Sequence, residues 1–166
     1  MSRADVRLRA ADRADGSSLW NLARRSGVDE NSPYAYVMWG EYFAETSIVA
    51  ERDGEAIGFV TGFRVPQAPE SLFVWQVAVD EGERGRGLAG SMLDELVGRL
   101  PWCRRLEATV TPSNEASASL FRAFGSRRGA PVEEELAFGS ELFPGGSHEA
   151  EVRFRIGPFE GGARPA

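Results

Sequence analysis

The sequence predicts one α/β domain, built on a mixed, mostly antiparallel central sheet flanked by helices. Three observations lead there. Strand-like and helix-like segments alternate in the order β-α-α-β-β-β-α-β-α-β-β. Asp53-Gly54 joins two apolar runs as a tight hairpin, which makes part of the sheet antiparallel. Leu72 to Val79 is apolar on both parities apart from Gln76, as expected of a central strand covered on both faces. A chain of 166 residues suffices for one domain with a substantial core and is too short for two ordinary ones. Residues 1–158 are expected to form that domain and 159–166 a disordered tail.

Val6, Leu8 and Ala10 alternate with Arg7 and Arg9, the pattern of a half-buried strand. Asp15 to Ser18 offer N-cap chemistry for a short amphipathic helix carrying Leu19, Trp20, Leu22 and Ala23 and ending at Gly27. Pro33 fits the first turn of a second helix capped by Ser32. That helix holds more aromatic surface, from Tyr34 to Phe43, than one core stripe needs. Ile48–Ala50 and Ala56–Phe63 flank the hairpin. Leu88, Met92, Leu93, Leu96, Val97 and Leu100 lie at helical spacing. Leu106–Val110 is a strand. Pro112-Ser113 opens a helix that Gly125 is expected to close. Val132–Phe138 and Glu151–Ile156 complete the strands.

Composition excludes several classes. A net charge of -6 disfavours nucleic acid or an anionic membrane as partner, since both need a cationic face. All 19 basic residues are arginine. Cys103 is the single cysteine, so no intramolecular disulfide can form and a cysteine-based zinc cluster is not expected. Neither a signal-like apolar region nor a membrane-length apolar run is present, and a cytoplasmic location is expected. No metal is expected.

Chemistry concentrates in two glycine-bearing motifs. The central strand leads into Arg84-Gly85-Arg86-Gly87-Leu88-Ala89-Gly90 and then a helix. Glycine lets backbone N–H groups approach an anion, and a helix start presents unpaired N–H groups at its positive end. Arg84 and Arg86 can add charge-assisted contacts. The chain has no lysine, so a Walker loop is excluded, and the glycine spacing is wrong for a dinucleotide fingerprint. Arg84-x-x-Gly87-x-Ala89 resembles the Arg/Gln-x-x-Gly-x-Gly/Ala signature of the GNAT superfamily of N-acetyltransferases. Asn114-x-x-Ser117-x-x-Leu120-Phe121-x-x-Phe124-Gly125 is similar to the helix that follows in that superfamily.

The resemblance implies the GNAT fold and acetyl-CoA as co-substrate. It also implies a cofactor set of Val77, Ala78, Val79, Arg84, Gly85, Arg86, Gly87, Leu88, Ala89, Gly90, Asn114 and Ser117. Leu120 and Phe124 read as core. Many members carry a tyrosine where this chain has Phe121, and phenylalanine cannot protonate a leaving thiolate.

A narrower resemblance covers about Val6 to Pro158. The segments Val28-Asp29-x-Asn31-Ser32-x-Tyr34-x-Tyr36, Phe73–Val79, Thr109–Ser117 and His148-Glu149-x-Glu151-Val152-x-Phe154-Arg155-Ile156 resemble the L-2,4-diaminobutyrate acetyltransferase family of ectoine biosynthesis. That resemblance implies acetyl transfer to the γ-amine of L-2,4-diaminobutyrate. It implies a substrate pocket of Asp29, Asn31, Ser32, Tyr34, Trp75, His148 and Glu151, and it favours a homodimer. Carboxylates suit a diamine, and Trp75 offers a stiff wall. Either Glu151 or His148, acting through water, is the expected base for direct attack in a ternary complex. Tyr36 reads as packing, and Cys103 lies away from both motifs. The alternatives are acetylation of another small amine or peptide, and a catalytically silent acyl-CoA-binding module.

Overall fold

The computed structural model describes residues 5–160. Its elements are β1 (Arg7–Ala10), α1 (Gly16–Ser26), α2 (Pro33–Tyr42), β2 (Ile48–Arg52), β3 (Glu55–Arg64), β4 (Ser71–Val79), α3 (Leu88–Gly98), β5 (Arg105–Val110), α4 (Glu115–Arg127), β6 (Val132–Phe138) and β7 (Glu151–Ile156), with short 3-10 turns between some of them. The strands form one sheet in the order β1-β2-β3-β4-β5-β7-β6. Every neighbouring pair is antiparallel except β4 and β5. The sequence-derived order and the mostly antiparallel sheet therefore both hold.

Strand periodicity divides the core in two. Ile48 and Ala50 of β2 pack with Met92, Leu93, Leu96 and Val97 of α3 and with Phe121 and Phe124 of α4. Val49 between them faces the other way, with Leu19 and Leu22 of α1 and Tyr36 of α2. Each fully buried Leu or Phe contributes roughly 1.5–3 kcal/mol relative to exposure.

Two irregularities of β4 shape the centre of the molecule. Thr61 pairs with Gln76 while Gly62 pairs with Val74, so Trp75 is an extra residue in β4. This bulge turns two consecutive side chains to the α2 face: Trp75 stacks on Trp39 at 4.3 Å, and Gln76 meets the Tyr36 hydroxyl at 2.9 Å. The second irregularity is splay. Only Ser71–Val74 pair with β5, against Arg105–Ala108. From Trp75 onward the two parallel strands separate, and the β5 edge of β4 loses its ladder.

Four expectations need correction. Ser32 sits at the N-cap of α2, but its side chain makes no capping bond. Pro112-Ser113 do not open α4; Asn114 does, its side chain accepting from the Ser117 N–H at 3.1 Å. Gly125 does not end α4, which runs on to Arg127. A Cβ at Gly125 would lie 2.4 Å from Val132 Cγ2, so the glycine is there for close helix–strand packing. Phe159, assigned above to a tail, is buried, its N–H bonded to the Arg104 carbonyl and its ring edge-on to Phe124. Residues 161–166 of the expected tail lie outside the described residues.

Candidate active site

A cleft of about 850 Å³ opens where β4 and β5 separate. It runs from the start of α3, along the free edge of β4, to the loop after α1 and the start of β7. The described residues that line it come from both glycine-bearing motifs and from the segments that carry Asp29 and Glu151.

One half is built from backbone. β4 delivers Val77, Ala78 and Val79 to the wall with one edge unpaired. The chain then turns through Gly85 and Gly87, whose φ angles of 75° and 76° belong to the left-handed region that glycine adopts without strain. No heavy atom lies within 4 Å of a Cβ position at either residue, so the loop backbone is open to a ligand. Gly87 is the N-cap of α3 and no side chain caps the helix, which leaves first-turn N–H groups facing the cleft at Leu88, Ala89 and Gly90. Such a turn can seat an anion.

The arginines of this loop are engaged with protein. Arg84 lines the cleft, but its guanidinium donates to the Ser26 carbonyl at 2.9 Å and to the Val79 carbonyl at 3.4 Å. It thereby ties the end of α1 to the loop. Arg86 stands outside the lining, 3.5 Å from the Glu83 carboxylate, which Arg52 also contacts. The opposite wall is the first turn of α4, with Asn114 and Ser117. Phe121 also lines the cleft, packed near Phe154, and brings no hydroxyl.

The other half is built from side chains. Gly27, at φ 77°, ends α1 and releases the loop that carries Asp29. Glu151 begins β7 on the facing wall, its side chain 16% exposed. His148 lies between them, with Nε2 3.6 Å from Asp29 Oδ2 and 3.6 Å from Glu151 Oε1. Its ring stacks on Phe143 at 4.3 Å, and Nδ1 meets the Glu149 carbonyl at 2.6 Å. In the tautomer that donates from Nδ1 to this carbonyl, Nε2 of the neutral ring keeps its lone pair toward the carboxylates.

Charge and burial shift both groups. Desolvation pushes the Glu151 carboxyl above the usual range, Asp29 and Glu149 add to that, and a hydrogen bond from Thr109 and the charge of His148 oppose it. The His148 imidazole is raised, first by its bond to the Glu149 carbonyl and then by Asp29 and Glu151. Ser113 reaches across to the Glu149 carboxylate, linking the start of α4 to this cluster.

Trp75 joins Asp29, His148 and Glu151 in the lining, but Asn31, Ser32 and Tyr34 do not. Asn31 is turned back, its Nδ2 donating to the Asp29 carbonyl at 3.2 Å. Ser32 is at the helix cap, and Tyr34 is 69% exposed on the outer side of α2. Sequence reasoning missed three residues. Gln76 is buried and donates to the Asp29 carbonyl at 3.0 Å. Tyr36 supports it, and Thr109 holds Glu151. The visible signal was the lone polar residue in an apolar strand.

Among the described residues no group of three or more His, Cys, Asp or Glu side chains is placed to hold a metal ion. No helix among them is long and apolar enough to cross a membrane.

Comparison with known proteins adds to this geometry. The model of the acetyltransferase (GNAT) family matches residues 17–125. An L-2,4-diaminobutyric acid acetyltransferase from Streptomyces coelicolor is 46% identical over 97% of this chain and 98% of its own length. One of the same name from Halalkalibacterium halodurans is 47% identical over 87% of this chain and 78% of its own. Among solved structures, the diaminobutyrate acetyltransferase EctA from Paenibacillus lautus, in complex with its substrate L-2,4-diaminobutyric acid and coenzyme A, superposes with a TM-score of 0.89 at 42% identity. It covers 94% of this chain and 96% of its own. Ard1 from Thermoplasma volcanium, at 16% identity and a TM-score of 0.71, shares the fold.

Proposed function

We propose that this chain, which belongs to the GNAT acetyltransferases and within them to the L-2,4-diaminobutyric acid acetyltransferases, transfers acetyl from acetyl-CoA to the γ-amine of L-2,4-diaminobutyrate. The observation that carries the reading is the pairing within one cleft. A backbone-lined anion seat stands at one end and a cluster of two carboxylates and an imidazole at the other.

In this reading the pyrophosphate of acetyl-CoA sits on the first turn of α3 and the Gly85–Gly87 backbone. The pantetheine arm lies along the unpaired edge of β4, whose free N–H groups can polarise the thioester carbonyl. Asp29 and Glu151 hold the cationic diamine against Trp75.

Attack requires a neutral amine. One with a lysine-like pKa of about 10.4 must lose its proton at a cost of roughly 4–5 kcal/mol near neutrality. Glu151 is the base, through one water: its desolvated carboxylate takes up a proton more readily than a solvated one. His148, its Nε2 3.6 Å from that carboxylate, can take the proton on from it. With Phe121 in place of tyrosine no hydroxyl protonates the departing sulfur. A thiol with a pKa of about 8.5 leaves as thiolate and takes its proton from water.

The further roles implied by the resemblance belong to the same reading: a product that serves ectoine synthesis, a cytoplasmic site where acetyl-CoA is available, and a homodimer. Support for the dimer comes from exposed Val37 and Tyr42 on α2 and from Leu136 and Phe138 on the edge strand β6.

The test is free-thiol release from acetyl-CoA with a panel of amines: L-2,4-diaminobutyrate, L-ornithine, L-lysine, spermidine and a short peptide. The expected result is a kcat/KM for diaminobutyrate well above all others. Preference for spermidine or the peptide would overturn the assignment.

A further inference from the structure

We infer that Gln76 is a positioning residue for the amine substrate: its carboxamide, anchored by the buried Tyr36 hydroxyl, fixes the backbone of Asp29 and so aims that carboxylate into the cleft. The inference rests on the acetyl-transfer reading above.

Asp29 needs such support. It lies in a loop between α1 and α2, its side chain is 81% exposed, and its carboxylate approaches His148 only at 3.6 Å. A carboxylate on an unrestrained loop binds an ammonium poorly, because ordering the loop offsets the contact. Here the restraint acts through the main chain. The Asp29 carbonyl accepts from Gln76 Nε2 at 3.0 Å and from Asn31 Nδ2 at 3.2 Å.

Gln76 is suited to this by three features. The bulge at Trp75 turns it to the α2 face, onto the same side as Trp75 itself. It is 7% exposed, so its amide must find partners inside the protein. Finally, Tyr36, fully buried and edge-on to Phe59, donates its O–H to Gln76 Oε1 at 2.9 Å. The Asp29 carbonyl can only accept, so Nε2 must face it, which leaves Oε1 for the Tyr36 hydroxyl. The carbonyl thus sets which end of the amide is which, the hydroxyl anchors the other end, and the anchored amide holds the loop that aims the carboxylate.

Two substitutions test this. Gln76→Glu keeps the shape and can still accept from Tyr36, but it cannot donate to the Asp29 carbonyl. Tyr36→Phe leaves Gln76 in place and removes the hydroxyl that anchors its Oε1. Both are assayed by steady-state kinetics with each substrate varied, and by thermal unfolding.

In both variants KM for diaminobutyrate is expected to rise by about tenfold or more, the scale of a lost buried hydrogen bond. KM for acetyl-CoA should stay within about twofold. A purely structural pair would lower the melting temperature and leave the two KM values in their wild-type ratio. That outcome overturns the inference. If Gln76→Glu does not fold, Tyr36→Phe decides by the same ratio. Wild-type protein that fails to acetylate diaminobutyrate refutes the functional reading instead, so the two failures are distinct.

Discussion

The two halves of the cleft are made by different means. The half proposed for acetyl-CoA is backbone: an unpaired strand edge, two glycines at positive φ and an uncapped helix start. The half proposed for the amine is side chain: Asp29, His148 and Glu151 come from two loops and a strand end, and Gln76 and Tyr36 stand behind Asp29. Backbone recognition needs only that the chain can take a conformation. Side-chain recognition needs distant segments to arrive together. The first half should therefore tolerate most side-chain changes and fail on lost backbone freedom, while the second should fail on single functional groups.

The largest expected effect is at Glu151. Glu151→Gln keeps shape and hydrogen bonding but removes the proposed base, so kcat/KM should fall by about 10²–10⁴-fold. Binding of coenzyme A, measured by calorimetry, should be unchanged. Equal weakening of both would mean the halves are not separate. Next is Gly87→Val, which forces a β-branched residue to φ 76° at a cost of about 1–3 kcal/mol. Coenzyme A affinity should drop about tenfold or more, whereas Arg86→Ala, outside the lining, should change it little.

A finer test is Thr109→Val. Losing the hydrogen bond that steadies the Glu151 carboxylate adds to the desolvation that already raises its pKa. The base works ionised, so the acid limb of the kcat/KM profile should move to higher pH. An unmoved or lowered limb would reject Glu151 as the base. The smallest effect is expected of Cys103→Ala. The thiol is buried, pushed up to about 11, and outside the cleft lining. Activity should be retained, with stability reduced by only about 1 kcal/mol as measured by denaturant unfolding.

The same contrast explains what could be read before the structure. Arg84–Gly90 was legible because a backbone site writes itself as a local run of glycines after a strand. Yet the role imagined for Arg84 differs from its observed bonds to Ser26 and Val79, since a motif names a residue and not its partner. Gly125 read as a helix end because an interior glycine at a helix–strand contact looks the same in sequence as a C-cap. Phe159 read as tail because its partners, Phe124 and the Arg104 carbonyl, are remote in the chain.

In the half proposed for the amine, Asp29, Trp75, His148 and Glu151 were named from resemblance, and all four line the cleft. Tyr34 was named with them but stands exposed outside it. Gln76 went unused, because its orientation depends on a bulge that no periodicity displays.

The acetylated product identifies the reaction. The protein is incubated with acetyl-CoA and an equimolar mixture of L-2,4-diaminobutyrate and the competing amines, and the acetylated species are identified by NMR. One dominant product is expected, diaminobutyrate acetylated on its γ-nitrogen. Acetylation mainly at the α-nitrogen, or of another amine in the mixture, would contradict it.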